Sequence, residues 1–224
     1  MNTDIRNRPD YASLVVHLEP GEALVAEPGA MMASSASLKP TTNIPGGIFG
    51  AAKRAIAGES VFQVTWAAGT TPADLHLAPP MPGDIVAVPV DGRSIVVQRG
   101  GWMASTKGVT LDAKWGGAKG WLSGEGLVLL RVGGEGTAWL CSYGAIEERT
   151  VDGSWRVDTS HVVAFDETLE WNVERVGGWK ATFLSGEGLV VSFRGKGRVW
   201  FQTRSAPTLA GFLHPFRRVR PKRG

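Results

Sequence analysis

Short apolar runs bounded by glycine or proline recur along the whole chain, and this pattern predicts β-strands. The predicted strands are Glu22–Ala26, Met31–Ala33, Asp74–Leu77, Ser94–Gln98, Trp102–Ala104, Thr137–Cys141, His161–Phe165, Leu169–Trp171 and Arg198–Gln202. The run Leu127–Leu130 is continuously apolar, which predicts burial on both faces. A single short helix is predicted at Ile48–Ile56, where it forms an insertion that ends before Gly58.

A motif that contains Gly-Glu divides the chain into repeats. Leu122–Val128 returns as Leu184–Val190, and Ala57–Phe62 is a weaker copy. Self-similarity of this kind is typical of one folding unit used three times. The expected repeats span about residues 18–90, 91–152 and 153–206. Each is too small to bury its apolar faces alone, so the three should share a core. We therefore expect a single all-β domain over residues 1–210, with barrel-like closure that removes exposed sheet edges.

Composition supports a globular β-protein and assigns most of the positive charge to one end. The chain has 224 residues, of which 30 are glycine and 13 proline, and its hydrophobic content of 43% is enough for a large core. The net charge of +3 arises in the tail at 211–224, because five basic residues precede Gly224. The rest of the chain has 19 basic residues against 21 acidic ones.

The localisation expected from the sequence is cytoplasmic, or peripheral to a membrane. The lone Cys141 fits a reducing compartment. The chain shows no signal-peptide pattern, and no apolar run approaches the roughly 20 residues needed to cross a bilayer.

No residue pattern indicates a catalytic, cofactor or metal site. The four histidines form no His-x-His pair, and the glycine clusters Gly133–Gly136 and Gly195–Gly197 lack a Walker sequence. We interpret these clusters as turns between strands. Cys141 is expected to be a small buried residue of a strand. The segment from Asp158 to His161 is expected to be a turn in which the aspartate accepts from backbone amides.

Several longer motifs occur in order along the chain. They include Gly46–Gly50 with Lys53–Arg54, Ser142–Ala145, His161–Ala164, Phe183–Val190 and Gln202–Arg204. Together these motifs resemble the AIM24 family of uncharacterised bacterial proteins. The resemblance covers about Leu18 to Arg204. It implies a double-stranded β-helix fold similar to the tryptophan RNA-binding attenuation protein, which agrees with three β-repeats. A mitochondrial relative is linked to inner-membrane organisation, so the resemblance implies a scaffold more than an enzyme.

The function expected from the sequence is therefore a non-enzymatic scaffold or interaction protein, homo-oligomeric or bound peripherally to an anionic membrane. The candidate contact residues combine apolar bulk and positive charge; they are Ile48, Phe49, Lys53, Arg54, Arg217, Arg218 and Arg220. One alternative is a small-molecule-binding β-barrel or enzyme with an interior pocket. RNA binding is less favoured because the body of the chain is not basic, although Arg198, Trp200 and Arg204 interleave charge with an aromatic ring.

Overall fold

The computed structural model describes residues 1–43, 63–112, 129–175 and 189–217, and these residues are mostly β-structure. Sixteen strands are present in this part of the chain. They are β1 (Asn2–Arg6), β2 (Ser13–Leu18), β3 (Ala23–Ala26), β4 (Met31–Ser34), β5 (Lys39–Asn43), β6 (Gln63–Ala67), β7 (Ala73–Leu77), β8 (Ile85–Asp91), β9 (Ile95–Gln98), β10 (Trp102–Thr106), β11 (Val109–Asp112), β12 (Leu129–Cys141), β13 (Ile146–Asp158), β14 (Val162–Asp166), β15 (Glu170–Arg175) and β16 (Leu189–Gln202).

The strands form two sheets whose pairings between strands are antiparallel. A four-stranded sheet has the order β1-β2-β7-β4. The larger sheet runs β13-β16-β14-β9-β12-β10-β3-β6-β5, and β8, β11 and β15 branch from it. Two strands therefore serve several partners, since β12 pairs with β8, β9, β10 and β11, and β16 pairs with β13, β14 and β15.

The expected barrel closure is not found among the described strands. The path of the larger sheet has two open ends, at β13 and β5, and no described pairing joins them. The sheets are large and antiparallel but not closed. The expectation overlooked that a strand edge can be protected by charged side chains instead of by closure. The first half of β13 is such an edge, with Glu147, Glu148 and Arg149 exposed.

The glycine clusters were wrongly interpreted as turns between separate strands. The structure instead has two continuous strands, β12 and β16, that run through Gly133–Gly136 and Gly195–Gly197. Gly134 and Gly195 adopt φ values of +92° and +110° inside these strands. A left-handed glycine bends a strand without reversing it, so each long strand can pass from one set of partners to another.

Among the described residues, the interior consists of three apolar clusters that follow the order of the chain. The first surrounds Leu24, Leu75 and Met103, and the second surrounds Val97, Trp102 and Leu140. The third contains Phe165, Phe193 and Val199. The aromatic rings of Phe165 and Phe193 lie 5.0 Å apart in a tilted arrangement. Burial of such residues supplies most of the driving force for folding.

The predicted helix at Ile48–Ile56 and the three Gly-Glu motifs lie outside the described residues. The α-helix that the structure does describe, α1 (Ala206–Leu213), was not predicted. It follows the last strand, and a single 3₁₀ turn, His214–Phe216, continues it. It thus connects the β-structure to the basic tail.

Candidate interaction surface

Only one of the seven candidate contact residues lies within the described part of the chain. Arg217 is exposed at the end of the 3₁₀ turn. Ile48, Phe49, Lys53, Arg54, Arg218 and Arg220 lie outside the described residues, so the structure does not show whether they come together. The structure does, however, reveal apolar side chains directly before Arg217 that the sequence interpretation missed.

Helix α1 is apolar and has no buried residue, which is unusual for a helix in a globular protein. Phe212, Leu213 and Phe216 are 67%, 51% and 74% exposed. The rings of Phe212 and Phe216 lie 5.7 Å apart and form a small exposed aromatic pair. Contiguous exposed apolar groups of this kind mark interaction sites. We call residues 206–224 the C-terminal segment.

Local sequence signals explain why a helix forms at this position. The Ser205 side chain is the N-cap and accepts a hydrogen bond from the Thr208 amide at 3.4 Å. Pro207 occupies the first turn, where its missing amide hydrogen has no cost. These signals were present in the sequence, but the apolar residues that follow lack the periodicity of a packed helix.

A surface cleft of about 240 Å³ lies beside the start of α1. Its lining includes Arg99, Tyr143, Ser160, Gln202 and Pro207. The Gln202 amide is already engaged, because its oxygen accepts from the Tyr143 amide at 2.9 Å and its nitrogen donates to the Ser160 carbonyl at 3.0 Å. Gln202 therefore holds two chain segments in place. The cleft opens to solvent, and buried residues such as Cys141 and Val163 form part of its wall.

The structure agrees with the structural interpretation of His161. Asp158 accepts from the Ser160 amide at 2.8 Å, and a 3₁₀ turn spans Thr159–His161. The Nδ1 atom of His161 lies 2.7 Å from the Gln202 carbonyl oxygen. Both side chains therefore fix the entry into β14. Among the described residues, no group of three His, Cys, Asp or Glu side chains is placed to hold a metal ion.

The Arg198 and Trp200 side chains do not form a platform for nucleic-acid bases. Trp200 is buried, and its indole nitrogen donates to Glu148 at 2.8 Å. Arg198 pairs with Asp166 at 3.1 Å, and this hydrogen bond raises the pKa of the Arg198 guanidinium. Base stacking requires an exposed ring face, which Trp200 does not offer.

Cys141 is buried at the end of β12, and its thiol donates to the Gly100 carbonyl at 3.3 Å. Burial raises the pKa of this thiol to about 12. Because the thiolate is the nucleophilic form, we expect native protein at pH 8 to react with Ellman's reagent at least about a hundredfold more slowly than unfolded protein. The absorbance of the released thionitrobenzoate measures this ratio. Comparable rates in native and unfolded protein would show that the thiol is accessible.

Ionisation of Cys141 should also affect stability at high pH. The folded state holds the neutral thiol, whose pKa is raised from 9.0 to about 12. The contribution of the neutral thiol to the free energy of unfolding is therefore complete below pH 9 and is lost as pH rises from about 9 to 12.

The fold and the exposed surface define a class: an antiparallel β-protein with an apolar helix and a basic tail at one end. None of the helices in the described part of the chain is long and apolar enough to cross a membrane. The family model of AIM24, described as mitochondrial biogenesis AIM24, matches residues 3–204. The chain therefore belongs to the AIM24 family.

Two streptococcal relatives extend this assignment. An uncharacterised protein of Streptococcus pyogenes serotype M6 is 28% identical over 223 residues, which cover 95% of this chain and 90% of that protein. A crystal structure of a Streptococcus pyogenes protein superposes with a TM-score of 0.81 at 25% identity, covering 96% of this chain and 99% of that one. Because the family match ends at residue 204, it does not include the C-terminal segment.

Proposed function

We propose that this protein is a non-enzymatic interaction protein that attaches peripherally to an anionic membrane through its C-terminal segment. The observation that carries the proposal is the unpacked apolar helix α1, which is followed by a 3₁₀ turn and then by a run of basic residues. Apolar side chains next to arginines suit the boundary between acyl chains and anionic headgroups. No feature of the described residues supports catalysis as strongly as α1 and the basic tail support membrane attachment.

The two halves of the C-terminal segment contribute to membrane binding in different ways. Phe212, Leu213 and Phe216 offer apolar area whose burial would stabilise the bound state by about 1.5 kcal/mol or more per side chain. The tail that begins at Arg217 adds about 1 kcal/mol per basic residue near an anionic surface. Neither part alone gives stable anchoring, because membrane binding through a single weak contact is readily reversed.

The β-structure supplies the rigid scaffold in this proposal, and we interpret it as three related units of the double-stranded β-helix type. The supporting observation is a register irregularity that occurs three times. Pairing shifts at Met31–Ala33 in β4, at Trp102–Ala104 in β10 and at Val162–Ala164 in β14. The shifted strands β4, β10 and β14 pair with β7, β12 and β16, respectively. Each of the three expected repeats contributes most of one apolar cluster.

Vesicle flotation tests the membrane proposal. We expect the full chain to float with vesicles of phosphatidylcholine and phosphatidylserine, and to stay in the dense fraction with phosphatidylcholine alone. Replacing Phe212, Leu213 and Phe216 by serine should weaken binding at least about tenfold, because three apolar contacts are lost. Tyr11→Ser is the control, since Tyr11 is as exposed as Phe216 and lies outside the C-terminal segment.

The basic residues are tested by the salt dependence of the same assay. Changing Arg217, Arg218 and Arg220 to glutamine should weaken binding by about 1 kcal/mol each at low ionic strength and flatten the response to salt. Equal flotation of wild-type and both variants, or none for the wild-type at low salt, would refute membrane attachment through this segment.

A further inference from the structure

The cleft beside α1 is formed where three strands from different parts of the chain end. Residues 79–81 follow β7, residues 141–143 include the end of β12, and Gln202 is the last residue of β16. The connection between β9 and β10 and the 3₁₀ turn before β14 complete its wall. Small-molecule pockets commonly form where separate parts of a fold meet, so the position of this cleft suits a ligand.

The wall of the cleft is mainly apolar. Pro79, Pro80, Met81 and Pro207 line it together with the buried side chain of Val163. Its volume of about 240 Å³ corresponds to the space that about eight water molecules occupy in the liquid. Displacement of this water by an apolar group is favourable. The cleft therefore suits a compact molecule with an apolar body.

Four polar side chains at the cleft have no partner in the described part of the chain. The amide of Gln98, the guanidinium of Arg99 and the hydroxyl groups of Tyr143 and Thr159 line the cleft without a hydrogen bond or an ion pair to another described residue. All four groups contain a hydrogen-bond donor. An apolar cleft with a few convergent polar groups is the usual form of a ligand site.

Thr159 is the most informative of the four because the residue is only 4% exposed. Among the described residues, the fully enclosed polar side-chain atoms without a partner are the indole nitrogens of Trp102 and Trp139, and the Thr159 hydroxyl is not one of them. This hydroxyl therefore reaches accessible space, and the cleft is the space that Thr159 lines. A polar group in such a position bonds to water or to a ligand that enters the cleft.

Arg99 determines the charge of the ligand. It is exposed and is the one charged residue among the described residues that line the cleft. Glu27 interacts electrostatically with Arg99 but does not line the cleft. An arginine binds a carboxylate through two parallel hydrogen bonds. One cation balances the single charge of a carboxylate, whereas a phosphate monoester carries a charge of about −1.5 to −2, so the cleft favours a carboxylate.

We propose that this cleft binds a small carboxylic acid with an apolar body. The carboxylate contacts Arg99 and accepts hydrogen bonds from the hydroxyl groups of Thr159 and Tyr143, and the apolar body packs against Met81 and Val163. The site uses none of the exposed aromatic side chains of the C-terminal segment and needs no lipid. Membrane attachment can therefore fail without affecting it.

Ligand-observed NMR titration in the absence of lipid tests the charge preference, with phenylpropionate and its neutral amide as probes. We expect the full chain to bind the acid at least about tenfold more tightly than the amide, because hydrogen bonds between charged groups are the stronger ones. Arg99→Gln should reduce the affinity for the acid to that for the amide. Arg93→Gln is the matched control, since Arg93 is also exposed but does not line the cleft.

Thr159→Val separates ligand binding from a role in the fold. The variant should bind the acid about fivefold more weakly, because one hydrogen bond is lost. Its midpoint of urea unfolding should not fall, since the hydroxyl has no partner in the described structure. Glu27→Gln should strengthen binding of the acid but not of the amide, because it removes a negative charge near Arg99.

Two results would overturn the proposal. The first is equal affinity of wild-type protein for the acid and the amide, or no binding of either at millimolar concentration. The second is a Thr159→Val variant that is less stable but binds the acid as wild-type does, because the hydroxyl would then serve the fold and not a ligand.

Discussion

Replacing Phe193 by alanine is expected to lower the free energy of unfolding by about 3–5 kcal/mol, because the change removes buried contacts and leaves a cavity. Phe193 is completely buried in the third apolar cluster, and its ring packs 5.0 Å from that of Phe165. Its backbone lies in β16, which holds β13, β14 and β15 together. Urea unfolding followed by tryptophan fluorescence would measure the change.

Phe212→Ala is the matched control, because the same side chain is removed from an exposed position in α1. We expect this variant to lose less than about 0.5 kcal/mol of stability, although the proposed function requires it to bind vesicles more weakly. Phe193→Ala should, conversely, still bind vesicles while it remains folded. A large loss of stability in Phe212→Ala would mean that α1 packs against the β-structure in solution.

Arg8→Met is the second substitution with a large expected effect, about 2 kcal/mol of destabilisation, because it removes two charge-assisted hydrogen bonds from a buried carboxylate, and water can replace only part of them at the half-exposed Arg8 position. Asp84 is almost fully buried, and Arg8 binds both of its oxygens, at 2.6 and 2.9 Å. The hydrogen bond to Asp84 raises the pKa of the Arg8 guanidinium. Asp84 also accepts from the Ile85 amide at 2.8 Å, so its orientation is fixed.

The double variant Arg8→Met with Asp84→Asn separates the effect of charge on stability from the effect of packing. Removal of the charge should restore part of the stability lost in Arg8→Met, and the difference between the single and double variants measures the coupling. Thermal unfolding of the four proteins gives this difference. Additive effects, with no recovery in the double variant, would indicate that Arg8 acts only through the contacts of its aliphatic part.

Much of the strand content was predictable because each short apolar run is bounded by glycine or proline. The runs at Glu22–Ala26, Ser94–Gln98 and Thr137–Cys141 all lie in observed strands, with boundaries that differ by a residue or are extended. β13 was missed, since its sequence from Ile146 to Asp158 is largely charged and lacks an apolar run. Its pairing with β16 across thirteen residue pairs, a long-range contact, fixes it as a strand.

The candidate site was predictable only in part. Arg217 and the basic tail follow directly from charge patterning, but the exposure of Phe212 and Phe216 does not. A phenylalanine in an apolar stretch is ordinarily expected in a core, and only the position of α1 outside the three clusters shows that these rings face solvent. The sequence of β4 likewise contains no sign that the Met32 side chain is 56% exposed, whereas Met103 of β10 is fully buried.

The amino-acid sequence by itself determined the β-class, the family and the basic end of this protein, because strand propensity, family motifs and charge are local properties of the chain. Tertiary structure decided which glycine clusters bend a strand instead of ending it, and which strand edges remain unpaired. It also decided where the apolar helix α1 lies. These features depend on partners far apart in the sequence, such as β3 with β10 and β9 with β14, and no local pattern encodes whether a distant edge is occupied.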